Sequence, residues 1–471
     1  MRAPTSGRKP FDRSIVEGPL ARAVWKLAWP TMLQNAIGGA QGFVDHAMVG
    51  HYVGYTGNAA IGVSWQIFLV VMVFIGSLFT GMGVLVARFA GADDTEKVNR
   101  AVYQAIITSA VLAVGILAPI GYFLSPALLG LVKATAAVQA QALPYLRIMF
   151  VFGFGMMMFF LLSGALRSAG DARTPLRYGI ALTMLNVLFN VILIGGLGPI
   201  PSFGTAGAAM GTVLAAGLVS LVALYRLFVS HRWVIHFHPG MSLRPDWEVI
   251  RMLFRFGIPA GIQGVAMNVG GVLLLRFIGS LELSGQAQAA FAVGYTELFS
   301  VITWTSAGLM GAAAAVAGQN LGAERPDRSA RGVHVASIVG LGVAVIAGTA
   351  FLTIPRTLIG IFGIQDADTL AIGSGLLRYL CVSGLFVTVA LAYTGGLQGT
   401  GDTRGPLYIS IISQLIVPLG LCAAIQQFRP LEPGDIWTAI VLGHVTRSVL
   451  SVARFRQGRW RSIVVSVQSA P

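Results

Sequence analysis

The chain has 471 residues, of which 55% are hydrophobic and 11% charged, and its mean hydropathy is +0.76. A soluble domain carries roughly 25% charge, so a soluble globular class is excluded. The net charge of +14 raises the question of nucleic acid, but the basic residues sit in loops between apolar runs, which argues against that partner.

Apolar runs longer than about 18 residues recur along the whole length, the signal for membrane-spanning helices. A spanning barrel would alternate over segments of about ten residues, and that pattern is absent. The first 24 residues are polar and basic (Arg2, Arg8, Lys9, Arg13, Arg22) and lead into a long span, so no cleaved signal peptide is expected. Twelve spans are expected, at 25–50, 60–88, 100–124, 143–168, 175–197, 205–229, 250–279, 289–318, 331–354, 372–398, 406–426 and 434–457. Of the 32 Lys and Arg residues, 26 fall in the two tails and in the even-to-odd loops with their flanks. By the positive-inside rule both termini are cytoplasmic. Cys381 and Cys422 lie inside apolar runs without metal-ligand spacing, and no disulfide is expected. The 59 glycines suit close helix packing in lipid.

Two stretches punctuate the chain. Gly164 to Leu176 reads GALRSAGDARTPL, and Gly395 to Leu407 reads GGLQGTGDTRGPL, 231 residues later, with seven of thirteen positions identical. The shared residues include Gly170, Asp171, Arg173 and Pro175 in one copy and Gly401, Asp402, Arg404 and Pro406 in the other. Gly permits positive φ, Asp bonds its own backbone, and Pro opens the next helix, so each copy reads as a cytoplasmic helix–helix turn. Further echoes at 229 to 231 residues pair Pro30 and Gln34 with Pro259 and Gln263, Gly91-Ala92 with Gly322-Ala323, and Arg147 and Gly153 with Arg378 and Gly384. The chain is therefore two similar halves of six spans each. The expected fold is an all-α membrane protein, twelve transmembrane helices in two six-helix lobes related by a pseudo-two-fold along the membrane normal. Its parts are a cytoplasmic tail over 1–24, an N-lobe over 25–229, a cytoplasmic linker over 230–249, a C-lobe over 250–457 and a second cytoplasmic tail over 458–471. The linker holds His231, His236 and His238, which read as residues of a solvated loop.

Of 18 acidic residues, only Asp45 and Glu297 fall well inside spans, one in each lobe. A carboxylate there costs about 2.5–3.5 kcal/mol by insertion scales, which marks both as functional candidates. Helix rise puts Asp45 about 8 Å and Glu297 about 12 Å from the outer ends of their spans. A desolvated carboxylate takes up a proton more readily than one in water, and it holds Na⁺ where more oxygens converge. Asn186 and Asn190, four apart, share a helix face and suit either cation coordination or interhelical bonding. Gln34, Gln263 and Met157 are candidates for a substrate cavity, with packing as the competing reading of each. His46 follows Asp45, but adjacent helix positions do not share a face. The chain lacks a GxxxxGK[ST] loop and an HExxH pair, so no ATP-driven pump and no enzyme is expected.

With these residues assembled, the chain resembles the MATE family, multidrug and toxic compound extrusion transporters. The resemblance rests on WPTMLQ followed by GFVDHAMVG, on GALRSAGDARTP, on NVLFNVILIGGLG from Asn186, on GQNLGAERP from Gly318 and on GGLQGTGDTRGP. It implies a monomer in the inner membrane that exports amphipathic, often cationic compounds in exchange for H⁺ or Na⁺, with no other cofactor. Asp45 matches the family's first-helix coupling aspartate, and Asn190 the fifth-helix asparagine near it. NorM-type relatives carry a seventh-helix glutamate where this chain has Met267 and Asn268, and a tenth-helix aspartate where LFVTVALAYTGG has no acid. The resemblance is therefore nearer the DinF-type branch, with coupling in the N-lobe, Glu297 as an additional acid, and H⁺ favoured. A flippase for a lipid-linked precursor, from the same superfamily, is the alternative.

Overall fold

In a computed structural model, the structure describes residues 11–132, 134–229, 235–236 and 244–466, the side chains of 43 and 69–75 excepted. Lys133, His231, His238 and the far ends of both expected tails lie outside the described residues. Among those described, the protein is helical, with a single isolated bridge between Leu197 and Ile200 and no strand.

Twelve long helices follow one another. They are α1 Leu20–Tyr52, α2 Tyr55–Gly91, α3 Thr95–Leu131, α4 broken into Ala136–Phe152 and Phe154–Ser168, α5 Arg173–Gly195 and α6 Gly204–Val229. Then come α7 Trp247–Ile278, α8 Ser284–Gly322, α9 Pro326–Thr353, α10 Ala367–Thr400, α11 Arg404–Gln426 and α12 Pro433–Arg456. Among the described residues nine of them are long and apolar enough to cross a membrane, and α4 makes ten when its two halves are taken as one span. The protein is a multi-pass membrane protein.

Among the described residues three helices pass through π-helical turns, at Val111–Leu117 in α3, Ala292–Leu298 in α8 and Ile412–Ile416 in α11. The expected continuous span over 143–168 is bent by 52°. The break falls at Gly153, where ψ is −7° and a Cβ would stand 2.4 Å from the Met149 carbonyl oxygen. Only glycine fits so tight an interruption.

The duplicated turns are alike in detail. Gly170 and Gly401 have φ of 101° and 104°. The next amide in each copy reaches back five residues, Asp171 N to Leu166 O at 2.8 Å and Asp402 N to Leu397 O at 2.9 Å. This is a Schellman ending with glycine in the left-handed position. Each aspartate then caps the following helix. Asp171 Oδ1 accepts from the amides of Arg173 and Thr174 at 3.1 and 3.0 Å. Asp402 Oδ1 accepts from Gly405 N at 3.0 Å, while its Oδ2 takes Nε of Arg454 on α12 at 2.8 Å. Elsewhere Asp366 caps α10, and the hydroxyl and backbone N–H of Thr369 hold its carboxyl below the ordinary range.

A second duplicated ending closes α2 and α8, and here the left-handed residues are acids, Asp93 and Glu324, each at φ 60°. Asp94 N reaches Phe89 O at 2.9 Å and Arg325 N reaches Asn320 O at 2.8 Å, the same Schellman bond. A non-glycine residue in this conformation costs about 1–2 kcal/mol, and Glu has no local bond to offset it as Asp does. Glu324→Gly is therefore expected to raise stability by about 1 kcal/mol. Thermal unfolding of purified protein in detergent measures it, and an unchanged or lowered midpoint would mean that the exposed Glu324 side chain supports the turn.

The chain divides into two compact units, one built on Ala36–Ile258, the other on Arg13–Asn35 together with Pro259–Val465. Helices α1 and α7 each change unit partway along, at or just after an internal proline, Pro30 and Pro259. Proline removes one ladder bond and weakens the helix there. In the first unit a core of Phe68, Leu146, Phe150 and Met157 gathers α2, α4 and α6. The start of α7 packs against α2 so closely that a Cβ on Gly81 would lie 2.0 Å from Leu253 O. In the second unit α10 is central and packs on α8, α9 and α12. Its arm, Arg13–Asn35, is tied in by Asn35 Nδ2 to Trp304 O at 3.1 Å, Arg325 Nη1 to Val16 O at 3.0 Å, and Arg328 to Gly18 O.

Candidate functional site

The site grows from three helices of the first unit. Seven residues before the end of α1, about 10 Å along its axis, stands Asp45. On α5, Asn186 and Asn190 lie one above the other, and both are fully buried. On α6, Thr212 faces them and is 5% exposed.

These four side chains form one chain of hydrogen bonds. The Thr212 hydroxyl donates to Ala208 O at 3.0 Å. Its oxygen is then free to accept Asn186 Nδ2 at 3.1 Å. Asn186 Oδ1 accepts Asn190 Nδ2 at 3.3 Å, and the same amide nitrogen donates to Asp45 Oδ1 at 2.6 Å. A backbone carbonyl ends the chain on one side and a carboxylate on the other, and the Asn190 amide is the branch point that donates both ways, to Asp45 and back toward Thr212 and Ala208 O. A bond to an ionised carboxylate is roughly twice as strong as a neutral one. Gly211 makes room for the chain: a Cβ there would stand 2.1 Å from Asn190 Oδ1. One turn back, Thr183 Oγ1 donates to Gln41 Oε1 at 3.1 Å and ties α5 to α1 again. His46 turns away and pairs its Nδ1 with Asn58 Oδ1 at 2.7 Å.

The other candidates fall elsewhere. Glu297 is in the second unit, on the π-helical turn of α8, and its backbone oxygen accepts the Ser300 hydroxyl at 2.5 Å. Gln263 is 5% exposed and joins three helices of that unit: its Nε2 donates to Ser410 Oγ at 2.8 Å and its Oε1 accepts Gln398 Nε2 at 3.1 Å. Gln34 has a buried Oε1 without a partner among the described residues. Met157 has no exposed surface and packs in the first unit's core. Among the described residues no group of three or more His, Cys, Asp or Glu could hold a metal ion.

The MatE family pattern matches residues 30–192 and then, a second time, 259–423. The chain belongs to the MatE family. Its two matches begin at Pro30 and Pro259, the residues near which α1 and α7 change unit. Among curated relatives, this MatE chain is 26% identical over 446 residues to "Probable multidrug resistance protein NorM" of Thermotoga maritima, covering 93% of both chains. It is 24% identical over 446 residues to "Multidrug resistance protein MdtK" of Pectobacterium atrosepticum, covering 93% of this chain and 95% of that one. Among solved structures it superposes with a TM-score of 0.87 on an outward-facing multidrug resistance MATE family transporter, at 20% identity over 98% of this chain and all of the other. A transporter of the MOP superfamily from Pyrococcus furiosus gives a TM-score of 0.88 at 20% identity, again over 98% of this chain and all of that one. The twelve-helix fold of this MatE chain, in two six-helix lobes, is that of these transporters.

Three features of this MatE chain escape a reading of acids and asparagines. His444 and Arg447, one turn apart on α12, are each 3% exposed, with the His444 ring 5.8 Å from that of Phe299. By sequence Arg447 counts as one more cation of the inner flank, yet it stands nine residues inside the helix end, which was the available signal. The Gln398–Gln263–Ser410 chain was equally silent, because its members are 135 and 147 residues apart. His236, expected in a solvated loop, is 3% exposed and its backbone N–H donates to Asn99 Oδ1 at 3.1 Å. The loop there folds against α3, where Gln104 Nε2 also holds Arg244 O at 2.9 Å.

Proposed function

We propose that this chain is a secondary active multidrug antiporter that exports amphipathic, often cationic compounds in exchange for H⁺ by alternating access, with Na⁺ as the second choice of ion. The observation that carries the reading is the 2.6 Å bond between Asn190 and Asp45 inside a spanning bundle, where the Asn190 amide is shared with a chain of buried side chains that runs on through Asn186 to Thr212. When Asp45 takes a proton, the charge that strengthens this bond is lost, and α1 and α5 are held together less firmly. Release of the proton restores the bond. A carboxylate whose ionisation couples to helix contact is what an exchanger needs, because the ion must favour one conformation over the other.

The named relatives support export of varied compounds, since their names speak of multidrug resistance. The second unit supports protons over Na⁺: the seventh-helix stretch that carries a glutamate in NorM-type relatives here has Met267 and Asn268, and Asn268 Nδ2 is spent on Gly264 O at 2.9 Å. A buried fixed cation, Arg447, further disfavours a metal cation in that unit. Both points favour a reading with the coupling in the first unit, as in the DinF-type branch. The protein acts as a monomer in the inner membrane with both termini cytoplasmic. Its working halves are the lobes over 25–229 and 250–457.

The test uses purified protein in liposomes that enclose a fluorescent amphipathic cation, with a proton gradient or a Na⁺ gradient imposed separately. Efflux under the proton gradient is expected. Drive by Na⁺ alone would overturn the choice of ion, and no efflux under either would overturn the antiporter reading.

A further inference from the structure

We infer that the second unit carries a phosphate-binding pocket at the end of α12, shaped for the headgroup of an anionic phospholipid. After α12 the chain turns at Gly458, with φ of +72°, into a short 3-10 helix, Arg459–Ser462. This returns the chain toward α9 and α10 and encloses a cavity of about 620 Å³ lined by His334, Tyr393, Phe455, Arg456, Trp460 and Arg461, among others.

The floor of the pocket is aromatic and fixed. Phe455 and Trp460 stack at 4.8 Å, Tyr393 meets Phe455 edge-on at 5.3 Å, and Trp460 Nε1 is anchored on Phe455 O at 2.8 Å. Trp460 is 1% exposed and Tyr393 8%. The rim is basic. Arg456 is exposed, and among the described residues no acid pairs with it. The Arg461 guanidinium stands 5.4 Å over the Trp460 ring. It also meets Asp327 at 2.9 Å, but that carboxylate is 79% exposed, and an exposed pair of this kind holds by about 1 kcal/mol or less. A phosphate would compete with it on good terms, since Arg presents a fork matched to phosphate oxygens. His334, exposed on α9, completes the rim, with Nδ1 at 3.4 Å from the Tyr393 hydroxyl.

Depth selects the ligand's source. His334 lies eight residues from the start of α9 and Tyr393 seven from the end of α10, about 10–12 Å along each axis. A hydrocarbon core of about 30 Å centred on α9, about 42 Å long, begins about 6 Å from the helix end, so His334 and Tyr393 stand within a few ångströms of the boundary, on its apolar side. A cavity at that level with apolar aromatic walls and two guanidinium groups fits a phosphodiester whose glycerol and acyl carbons lie on the rings. Arginine near an anionic leaflet draws such lipids, and aromatic residues belong at the same interface. Free phosphate shares the anionic chemistry but has nothing to set against the aromatic floor.

The experiment is native mass spectrometry and thermal unfolding of the full chain in detergent, with added phosphatidylglycerol, phosphatidylcholine or inorganic phosphate. The proteins are wild type, Arg456→Gln/Arg461→Gln, and Arg356→Gln as a control at the far end of α9. Wild type and the control are expected to retain phosphatidylglycerol roughly tenfold better than phosphatidylcholine, and the double variant to lose that preference. A midpoint raised by inorganic phosphate without lipid preference, and lost in the double variant, would keep the pocket and overturn the lipid as its source. Equal retention of both lipids with no effect of phosphate, or a preference that survives in the double variant, would overturn the pocket itself. Unfolding midpoints without additive show that the variants are folded, and both substituted arginines are exposed.

Discussion

Asp45→Asn is expected to reduce proton-driven efflux to the level of empty liposomes while the protein inserts, purifies and unfolds as wild type does. Asparagine is nearly isosteric with aspartate, and its oxygen can still accept Asn190 Nδ2, so the 2.6 Å contact between α1 and α5 keeps its geometry. What disappears is the charge and the proton it exchanges. The bond becomes neutral and loses roughly half its strength, a change of about 1 kcal/mol, too small to unfold a protein of this size. Transport loses everything, because no titrating group remains to favour one conformation over the other. The measurement is initial efflux rate against an imposed pH step, beside a thermal midpoint in detergent. If the variant exports at the wild-type rate, Asp45 is a structural acceptor and the coupling lies elsewhere. A loss of rate accompanied by a large fall in midpoint would point to folding instead.

The second large effect concerns stability, and it separates two residues that the repeat makes equivalent. Gly164 and Gly395 open the two copies of the turn stretch. On Gly395 a Cβ would stand 2.1 Å from Met310 O, and on Gly399, one turn on, 2.1 Å from Ala314 O. These paired glycines let α10 lie directly on the backbone of α8, the small-residue packing that membrane helices use where lipid offers no hydrophobic drive. On Gly164 the nearest atom to a Cβ would be Met82 Cε at 3.6 Å, an ordinary contact with a flexible tip. Gly395→Ala must push α8 and α10 apart along their length, at a cost of about 3 kcal/mol or more. Gly164→Ala should change stability by less than about 1 kcal/mol, and the better helix propensity of Ala works in its favour. Fluorescence-detected size exclusion during a temperature ramp reads both. Equal midpoints for the two variants would show that α8 and α10 yield to the added methyl group.

What could be read in advance depended on how local its cause was. Helices α1 to α12 and the Gly170 and Gly401 turns follow from apolar run length and from glycine, aspartate and proline within a few residues of each other. Asp45, Asn186 and Asn190 stood out because ionised and amide side chains are costly in lipid wherever they point. The difference between Gly164 and Gly395 was invisible, since it depends on the distance to another helix and not on the motif that both share. Arg447 was hidden for the same reason: its class was known, its direction was not. The bend in α4 lies in a run of methionine and phenylalanine whose hydropathy is unbroken across Gly153. The bonds from Thr212 to Asp45 also needed α1, α5 and α6 in place before any donor had an acceptor.

The arm Arg13–Asn35 has a consequence for the birth of the protein. Asn35 bonds to Trp304, 269 residues further on, and Gly308 is a glycine because a Cβ there would meet the Met32 amide at 2.7 Å. At a synthesis rate of about 5–20 residues per second, the arm waits roughly 15–50 s for its partners to leave the ribosome. Through that time the first unit can assemble from Ala36 onward, but the leading half of α1 has no seat. The second unit is therefore built from the first piece of the chain and its last half, with the whole of the first unit made in between. Ribosomes that stop at the midpoint therefore release a half-protein with an unmatched arm, and the earliest exposed segment of the chain is also among the last to be protected.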